Sequence, residues 1–389
     1  MGRGHSVPVA SVAQESRYPF AMKLLSAVVL AAIAMTAAAR PTLEEVRNDM
    51  GIRSSDEVRG QRDAIGYATK ADAMAKVWEL SAQGPMPESF SAKVEPGVIG
   101  VIGPHDDYIY AARTYREIFP LVTAKTVVIV GVFHRYRRFE ARDQLVFDTY
   151  RAWSAPDGEI PVSPLRDELI AQLPAGMAVK DAAAHDSEHS IEGIAYFLKH
   201  ARRDVEIVPV IIPAASFERL HELASQLSGA LAASMKRRDW QLGRDVAIVI
   251  SADGTHYGED FKFTPYGWGG VKAYSKTVEQ DRKLMRDTLG GLFKMQKARD
   301  FYETVVNPDN PDQYRVTWCG RFSVTLGTML IAETAKKLGM HAPRGVPVAL
   351  GVSVDTPELA VRDVGVGPTA PANLYHFVTH PALAFVPGS

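Results

Sequence analysis

The sequence predicts an α/β fold, with a single domain over residues 40–389 built on a central parallel or mixed sheet flanked by helices. Three observations predict it. The chain has 389 residues, of which 46% are hydrophobic and 23% charged, so it can bury a large core. Short apolar runs rich in β-branched residues are bounded by turn-forming residues, and amphipathic stretches of helical period alternate with them. This alternation indicates a sheet that is covered on both faces.

Five runs read as buried strands, since each is short, apolar and bounded by breakers. They span residues 98–102, 126–132, 205–212, 246–251 and 346–354. Five stretches read as helices from their length and apolar spacing. They span residues 165–173, 191–201, 217–235, 274–293 and 322–338. Residues 307–313 (NPDNPDQ) are predicted to form a loop because they are rich in Asn, Pro and Asp.

The amino terminus has the pattern of a targeting segment. Lys23 precedes the uncharged apolar run of residues 24–39, which ends in three alanines. This order is typical of a cleaved secretory signal peptide, here over residues 22–39. Residues 1–21 would then be an extension or a misassigned start. Export to a periplasm-like compartment is expected, against the alternatives of a retained membrane anchor and a buried N-terminal helix.

Charge and cysteine content exclude several classes of function. The 44 Lys and Arg against 45 Asp and Glu give a net charge of −1, so no strong field favours nucleic acid or an anionic membrane. After signal cleavage, no membrane association is expected. Cys319 is the only cysteine, which excludes an intramolecular disulfide and a Cys-rich zinc module.

Histidines follow three of the predicted strands directly. They are His105, His134 and His256. Ligands of open α/β sheets bind beyond the carboxyl ends of the strands, so parallel strands would bring these histidines into one crevice. The alternative for each is a loop histidine satisfied by a local hydrogen bond.

A fourth cluster spans residues 185–192 (HDSEHSIE) and contains the pattern H-x-x-E-H. In another context this pattern marks a zinc metallopeptidase. The alternative is a helix start capped by Asp186 or Ser187, with acidic residues favoured by the helix dipole. Cys319 also has two interpretations. It is either a buried small side chain or a thiolate ligand near a helix start.

Seven motifs in this order resemble the Memo family, the MEMO-like group that includes AmmeMemoRadiSam system protein B. The motifs are GPHDDYIY (103–110), GVFH (131–134), WSAPDGEIPV (153–162), SEHSIE (187–192), IVPVII (207–212), SADGTHYG (251–258) and CGR (319–321). The resemblance covers residues 95–355. It implies a fold similar to class III extradiol ring-cleaving dioxygenases.

The resemblance also implies a metal centre. Three residues match the ligand positions: His105, His134 and Cys319. Four others match positions around them, with His256 as acid–base histidine or further ligand, Asp253 beside it, and Glu188 and His189 lining the pocket. Fe(II) or copper is the expected cofactor, and zinc is less favoured. This chain departs from the family at Asp106 and Asp107, where a small residue and glycine are usual, so copper preference does not follow.

Three functions remain open. The first is an extradiol-like, metal-dependent oxidoreductase acting on a small, aromatic or phenolic substrate, with Tyr108, Tyr257 or Arg321 orienting it. The second is a non-catalytic copper- or iron-binding or redox-handling protein, for which a protein partner is conceivable. The third is a zinc hydrolase with Glu188 as base.

Overall fold

A computed structural model describes residues 40–388, except 91–93 and 95. The predicted extension and signal peptide lie outside the described residues. These described residues form one compact unit. Within the described part of the chain, none of the helices combines the length and apolar character needed to cross a bilayer.

Ten α-helices lie in the described residues and are numbered in chain order. They are α1 Leu43–Met50, α2 Ala71–Ser81, α3 Tyr108–Ile118, α4 Leu165–Gln172, α5 Ala182–Asp186, α6 Glu192–Ala201, α7 Phe217–Arg238, α8 Gly270–Lys283, α9 Met295–Val305 and α10 Arg321–Lys337. The same part of the chain contains sixteen strands. They are β1 Val58–Arg59, β2 Glu88–Ser89, β3 Gly100–Gly103, β4 Thr126–Val132, β5 Leu145–Phe147, β6 Ala152–Trp153, β7 Ile160–Pro161, β8 Ala178–Lys180, β9 Glu206–Ile212, β10 Val246–Ser251, β11 His256–Tyr257, β12 Gly291–Leu292, β13 Val306–Asn307, β14 Asn310–Tyr314, β15 Arg344–Val352 and β16 Phe377–Val386.

The main sheet is mixed, as the sequence predicts. Its strand order is β12-β15-β16-β3-β10-β4-β9-β5-β8, with β2 and β11 paired at the side. The centre β3-β10-β4-β9 is parallel, and β16 and β5 flank it antiparallel. Every residue of β4 and β10 is buried, which explains why these strands are apolar throughout.

Helices cover both faces of this sheet. A Cβ at Gly100 would lie 2.6 Å from Cδ1 of Ile331 on α10, whereas one at Gly103 would lie 2.5 Å from Cζ of Phe119. Residues at odd spacing on a strand point to opposite faces, so α10 and the Phe119 segment lie on opposite sides of β3. The α/β architecture with helices on both faces is thereby confirmed.

Two expectations about segments were wrong. Residues 307–313 belong to an antiparallel pair, β13 and β14, rather than to a structureless loop. The helix predicted over 274–293 begins at Gly270 and ends at Lys283, where a π-helical turn, Leu284–Leu289, follows. The other predicted strands and helices are present: β4 and β10 have the predicted bounds, and the ends of the rest differ by at most three residues.

Candidate metal centre

The parallel strands β3, β4 and β10 deliver residues to one edge of the sheet. His105 lies two residues after β3, and His134 two residues after β4. Cys319 arrives from the other side, two residues before α10. His105, His134 and Cys319 each offer a ligand atom, and these atoms lie within 4.8 Å of one another. Residues more than 200 positions apart therefore meet at a single point.

His105 is held in one orientation by a hydroxyl chain. Its Nδ1 lies 2.6 Å from Ser251 Oγ, and that hydroxyl donates to the carbonyl of Ser190. Since the hydroxyl proton is used, Ser251 accepts from Nδ1–H, and Nε2 keeps its lone pair. Nε2 faces Cys319 Sγ at 3.5 Å. Burial, with the neighbouring His134 ring, holds the pKa of His105 well below its usual value, so the imidazole is neutral and ready to coordinate.

His134 is oriented by the carboxylate of Glu188. The backbone N–H of His134 donates to Oε2 at 2.7 Å, and its Nδ1 lies 2.9 Å from Oε1. Although desolvation of the ring acts in the opposite direction, Glu188 raises the pKa of His134. Nε2 is left as the nitrogen available to a metal, and the side chain is 31% exposed. This is the carboxylate–histidine arrangement that commonly fixes a ligand imidazole.

Cys319 supplies the sulfur. Asp253 N–H donates to Sγ at 3.3 Å. Burial raises the pKa of the thiol, and the charge of Asp253 adds to this effect. A metal would therefore displace a proton when it binds. Sulfur and nitrogen ligands at about 2.3 and 2.0 Å from a tetrahedral metal lie roughly 3.5 Å apart. The observed separation of 3.5 Å between Cys319 Sγ and His105 Nε2 fits that requirement.

Asp253 and His256 lie beside this trio. Asp253 Oδ1 accepts from the backbone N–H of His105 at 2.9 Å, and Oδ2 lies 3.4 Å from His105 Nε2. Burial and the nearby Asp106 raise the pKa of Asp253 to about 6. His256 Nδ1 lies 3.1 Å from the carbonyl of Gly254. Asp253, His256 and Cys319 form a second group of ligand atoms within 4.8 Å.

Glu188 and His189 lie beside His134 at the candidate centre. The capped helix start that was expected around them is absent. Helix α5 ends at Asp186, and α6 begins only at Glu192 with no side-chain cap, so neither Asp186 nor Ser187 caps it. His189 stacks on His134 with ring centroids 5.0 Å apart. His185 instead turns away, with Nε2 3.0 Å from the Val146 carbonyl. The H-x-x-E-H pattern therefore does not bring its two histidines to one site.

Of the three residues expected to orient a substrate, two use their hydroxyls within the fold. Tyr108 is buried and donates to the Gly193 carbonyl at 2.6 Å. Tyr257 donates to the carbonyl of Gly267. Arg321 is buried and stacks on Tyr314, 3.6 Å from the ring centroid, and its Nε has no hydrogen-bond partner among the described residues. The orienting role of Arg321 therefore stays a prediction.

Sequence reasoning missed Ser251 and His380. His380 is buried on β16, and its Nε2 lies 2.7 Å from Asp106 Oδ2. Burial acts in the opposite direction, but the hydrogen bond and charge of Asp106 raise the pKa of His380, which favours the charged imidazolium beside that carboxylate. No spacing rule joins residues 274 apart, and only the pairing of β16 with β3 brings them together.

The candidate ligands border more than one cavity: a small one of about 70 Å³ against His134, Cys319 and Arg321, and two larger ones. The first of the larger two, about 210 Å³, borders His105, His134, His189, Asp253 and His256. The second, about 280 Å³, borders Cys319 and Tyr314. His134, His256 and Phe261 line both of the larger cavities, so they form the boundary between them.

The chain is similar in sequence to a known family of proteins. A sequence profile for Memo-like protein matches residues 66–355. Identity to a MEMO1 family protein of Thermococcus kodakarensis is 28% over 219 residues, which covers 53% of this chain and 70% of the relative. A MEMO1 family protein of Archaeoglobus fulgidus is 31% identical over 218 residues, covering 56% and 70%. One of Aquifex aeolicus is 26% identical over 266 residues, covering 68% and 81%.

Proposed function

The chain belongs to the family of Memo-like proteins, and from this premise we propose that it binds a redox-active metal ion and acts as a non-haem, metal-dependent oxidoreductase. One observation carries the proposal: the ligand atoms of His105, His134 and Cys319 lie within 4.8 Å of one another, beside a cavity. Two imidazoles and one thiolate suit Fe(II) or copper, and zinc less specifically. The delivery of ligands from the ends of parallel strands supports a relation to class III extradiol dioxygenases.

The residues around the centre have distinct tasks in this proposal. A bound Fe(II) or copper ion would supply Lewis acidity and one-electron redox chemistry. Ser251 and Glu188 hold the two imidazoles with Nε2 free. His256 holds or moves a proton at Nε2, since its Nδ1 is engaged by backbone carbonyls and its ring borders both cavities. Asp253 lies next to His105 and contributes to the polar wall of the 210 Å³ cavity.

Metal analysis tests the proposal directly. Protein purified without oxygen should contain about one equivalent of iron or copper. His105→Ala and His134→Ala should both lose it while remaining folded by circular dichroism. Oxygen uptake with catechols then tests turnover, and His256→Ala should keep the metal but lose that uptake. Unchanged metal content in both variants would show that His105 and His134 do not bind the metal.

A second candidate function is metal or redox handling without turnover. The thiol of Cys319 favours it, because soft sulfur ligands select Cu(I). Tight binding of Cu(I) with no oxygen uptake would support this alternative. The zinc-hydrolase alternative has less support, since His185 points away from Glu188's site. Peptidase activity that disappears in Glu188→Gln would support the zinc-hydrolase alternative.

Export is a separate proposal. Lys23 followed by the apolar run of residues 24–39 supports a cleaved signal peptide and a periplasmic location. Protein isolated from its native host should begin near residue 40, which intact-mass measurement would show. Protein from the native host that still contains residues 24–39 would contradict the proposed cleavage.

A further inference from the structure

Arg321 is a buried cation that forms no ion pair with a carboxylate of the described chain. Its residue is 3% exposed. Nε is buried without a hydrogen-bond partner among the described residues, and Nη2 makes a long hydrogen bond of 3.4 Å to the hydroxyl of Tyr136. Burial of a charge is costly unless the charge is paired and hydrogen-bonded, so this guanidinium favours an anionic ligand.

The other buried arginines of the described chain have the partners that Arg321 lacks. Arg59 and Arg166 each form an ion pair with a buried carboxylate. Arg113 instead donates three hydrogen bonds, two to backbone carbonyls and one to a threonine hydroxyl. An unpaired guanidinium is therefore not a general feature of this fold, and its cause lies at Arg321 itself.

The surroundings of Arg321 add positive charge rather than remove it. Arg321 is the first residue of α10, and this helix has no side-chain cap. The N-terminal end of a helix carries a partial positive charge, which disfavours a cation and favours an anion. A thiolate at Cys319 would not remain free as a counter-charge, because it would be shared with the candidate metal ion.

Two aromatic rings pack on the guanidinium without using its donors. Its Cζ lies 3.6 Å from the ring centroid of Tyr314 and 4.6 Å from that of Phe322. All N–H groups of a guanidinium lie in its plane, so stacking leaves them available. A carboxylate in that plane can accept two parallel hydrogen bonds from them.

A small cavity lies beside this guanidinium. Its volume is about 70 Å³, and Arg137, Cys319 and Arg321 line it together with His134 and with apolar and aromatic side chains. No acidic side chain is among the described residues that line it. One water takes about 30 Å³ of the liquid, so the cavity has room for about two waters or one carboxylate group.

The 70 Å³ cavity is connected with the surroundings of the candidate centre. His134, Tyr314 and Cys319 line both this cavity and the 280 Å³ cavity. Tyr314 is 41% exposed, so the shared wall also reaches the protein surface. A carboxylate can therefore arrive either as a free anion or as the end group of a larger ligand.

We infer that the 70 Å³ cavity is a binding site for a small planar carboxylate, which the in-plane N–H groups of Arg321 hold beside Cys319. The site goes beyond the proposed function, since it does not depend on a bound metal. Only a larger ligand, with its carboxylate in this cavity and its body in the 280 Å³ cavity, rests on that function.

Thermal unfolding of the full-length protein after chelation tests the inference. Formate, benzoate and the uncharged formamide are added in turn, and chloride keeps the ionic strength constant. Formate should raise the midpoint of unfolding, because a ligand of the folded state stabilises it, whereas formamide should not. Stabilisation by formate alone identifies a free small anion, and stronger stabilisation by benzoate identifies the end group of a larger ligand. No stabilisation by either carboxylate beyond that by chloride overturns the inference.

Variants of Arg321 assign the effect to its guanidinium. Arg321→Met removes the charge and keeps a long side chain, so it should abolish the stabilisation by formate. Arg321→Lys keeps the charge but loses the two-donor edge, so it should weaken formate binding about tenfold. If Arg321→Met does not fold, Arg321→Lys decides, and an affinity for formate equal to that of the parent protein overturns the inference.

Arg299→Met is the matched control. Arg299 also stacks on an aromatic ring, with Cζ 4.0 Å from the ring centroid of Phe217, but it pairs with Glu218 and lines none of the three cavities at the centre. This variant should respond to formate like the parent protein. The same response in the parent, Arg299→Met and Arg321→Met overturns the inference. Because chelated protein is used, the metal content of the purified protein is a separate result, and failure of either proposal leaves the other intact.

Discussion

At the residue scale, the candidate centre depends on groups that orient the ligands as much as on the ligands themselves. His105 and His134 both use Nδ1 for a protein partner, Ser251 in one case and Glu188 in the other. Each ring is thereby fixed with Nε2 free. Partners of this kind commonly tune metal affinity by one to two orders of magnitude.

Removing the Ser251 hydroxyl tests this dependence. We expect Ser251→Ala to weaken metal binding by about 10- to 100-fold, because the ring of His105 loses its acceptor at Nδ1. Competition with a chromophoric chelator measures the affinity. Ser228→Ala is the matched control: that buried hydroxyl donates to Ser225 O and accepts from Lys337 Nζ, neither of which belongs to the candidate centre, so its loss should leave the affinity unchanged. Equal affinities in both variants would contradict the orienting role.

His185 carries a prediction about pH and stability. Burial, aided by the charge of Arg59, lowers the pKa of His185 to about 3, against about 6.5 in an unfolded chain. Between these values only the unfolded state takes up the proton. The free energy of unfolding should therefore fall by about 1.4 kcal/mol for each pH unit, from about pH 6 downward, on account of this residue.

Urea unfolding at several pH values measures that slope. His185→Gln retains a donor for the Val146 carbonyl. It should reduce the slope by about 1.4 kcal/mol per pH unit between pH 6 and 4, which corresponds to one proton. The exposed His341→Gln should leave the slope as it is. A slope that is identical in all three proteins would show that His185 does not bring about the acid sensitivity.

At the element scale, two glycines show how closely helix and sheet approach. Gly327 lies within α10, where a Cβ would come within 2.5 Å of Ile250 Cγ1 on β10. Gly229 lies within α7, where the nearest atom would be Lys337 Cε at 3.9 Å. Only the first glycine is required by packing.

The two alanine variants should therefore change stability in opposite directions. Gly327→Ala should lower the free energy of unfolding by about 1–3 kcal/mol, because α10 must move off β10. Gly229→Ala should raise it by about 0.5–1 kcal/mol, because a helix interior favours alanine over glycine. Chemical denaturation measures both. If Gly327→Ala also stabilises the protein, the close packing of α10 on β10 is not required.

The same packing explains which elements could be predicted from the sequence. Strands β4 and β10 were predicted with their exact bounds because they are buried on both faces, which makes an uninterrupted apolar run. Strand β16 is equally buried, yet it was missed because Thr379, His380 and Pro381 interrupt its apolar run. The histidines after β3 and β4 were predictable from strand ends. The contact of His105 with Ser251 was not, because it depends on the register between β3 and β10.

At the scale of the whole molecule, residues 40–65, the described segment before the family match, contribute to the core. The match begins at residue 66, but Arg59 is 0% exposed. Its guanidinium donates to the carbonyls of His185 and Glu188 at 2.6 Å and pairs with Glu192. Since Glu188 in turn holds His134, Arg59 supports the candidate metal centre indirectly.

Replacing Arg59 should therefore affect stability and metal binding together. Arg59→Leu leaves the Glu192 carboxylate buried without its partner, which should lower the free energy of unfolding by about 3–5 kcal/mol. It also frees the loop that carries Glu188, so metal affinity should fall in the fraction that remains folded. Arg151→Leu is the control: its pairs with Glu57 and Glu159 are exposed, so their loss should change neither quantity measurably. Loss of stability with unchanged metal affinity in the folded Arg59 variant would show that the segment supports the fold alone, and that the orientation of Glu188 is fixed by its own contacts with His134 and Ser190.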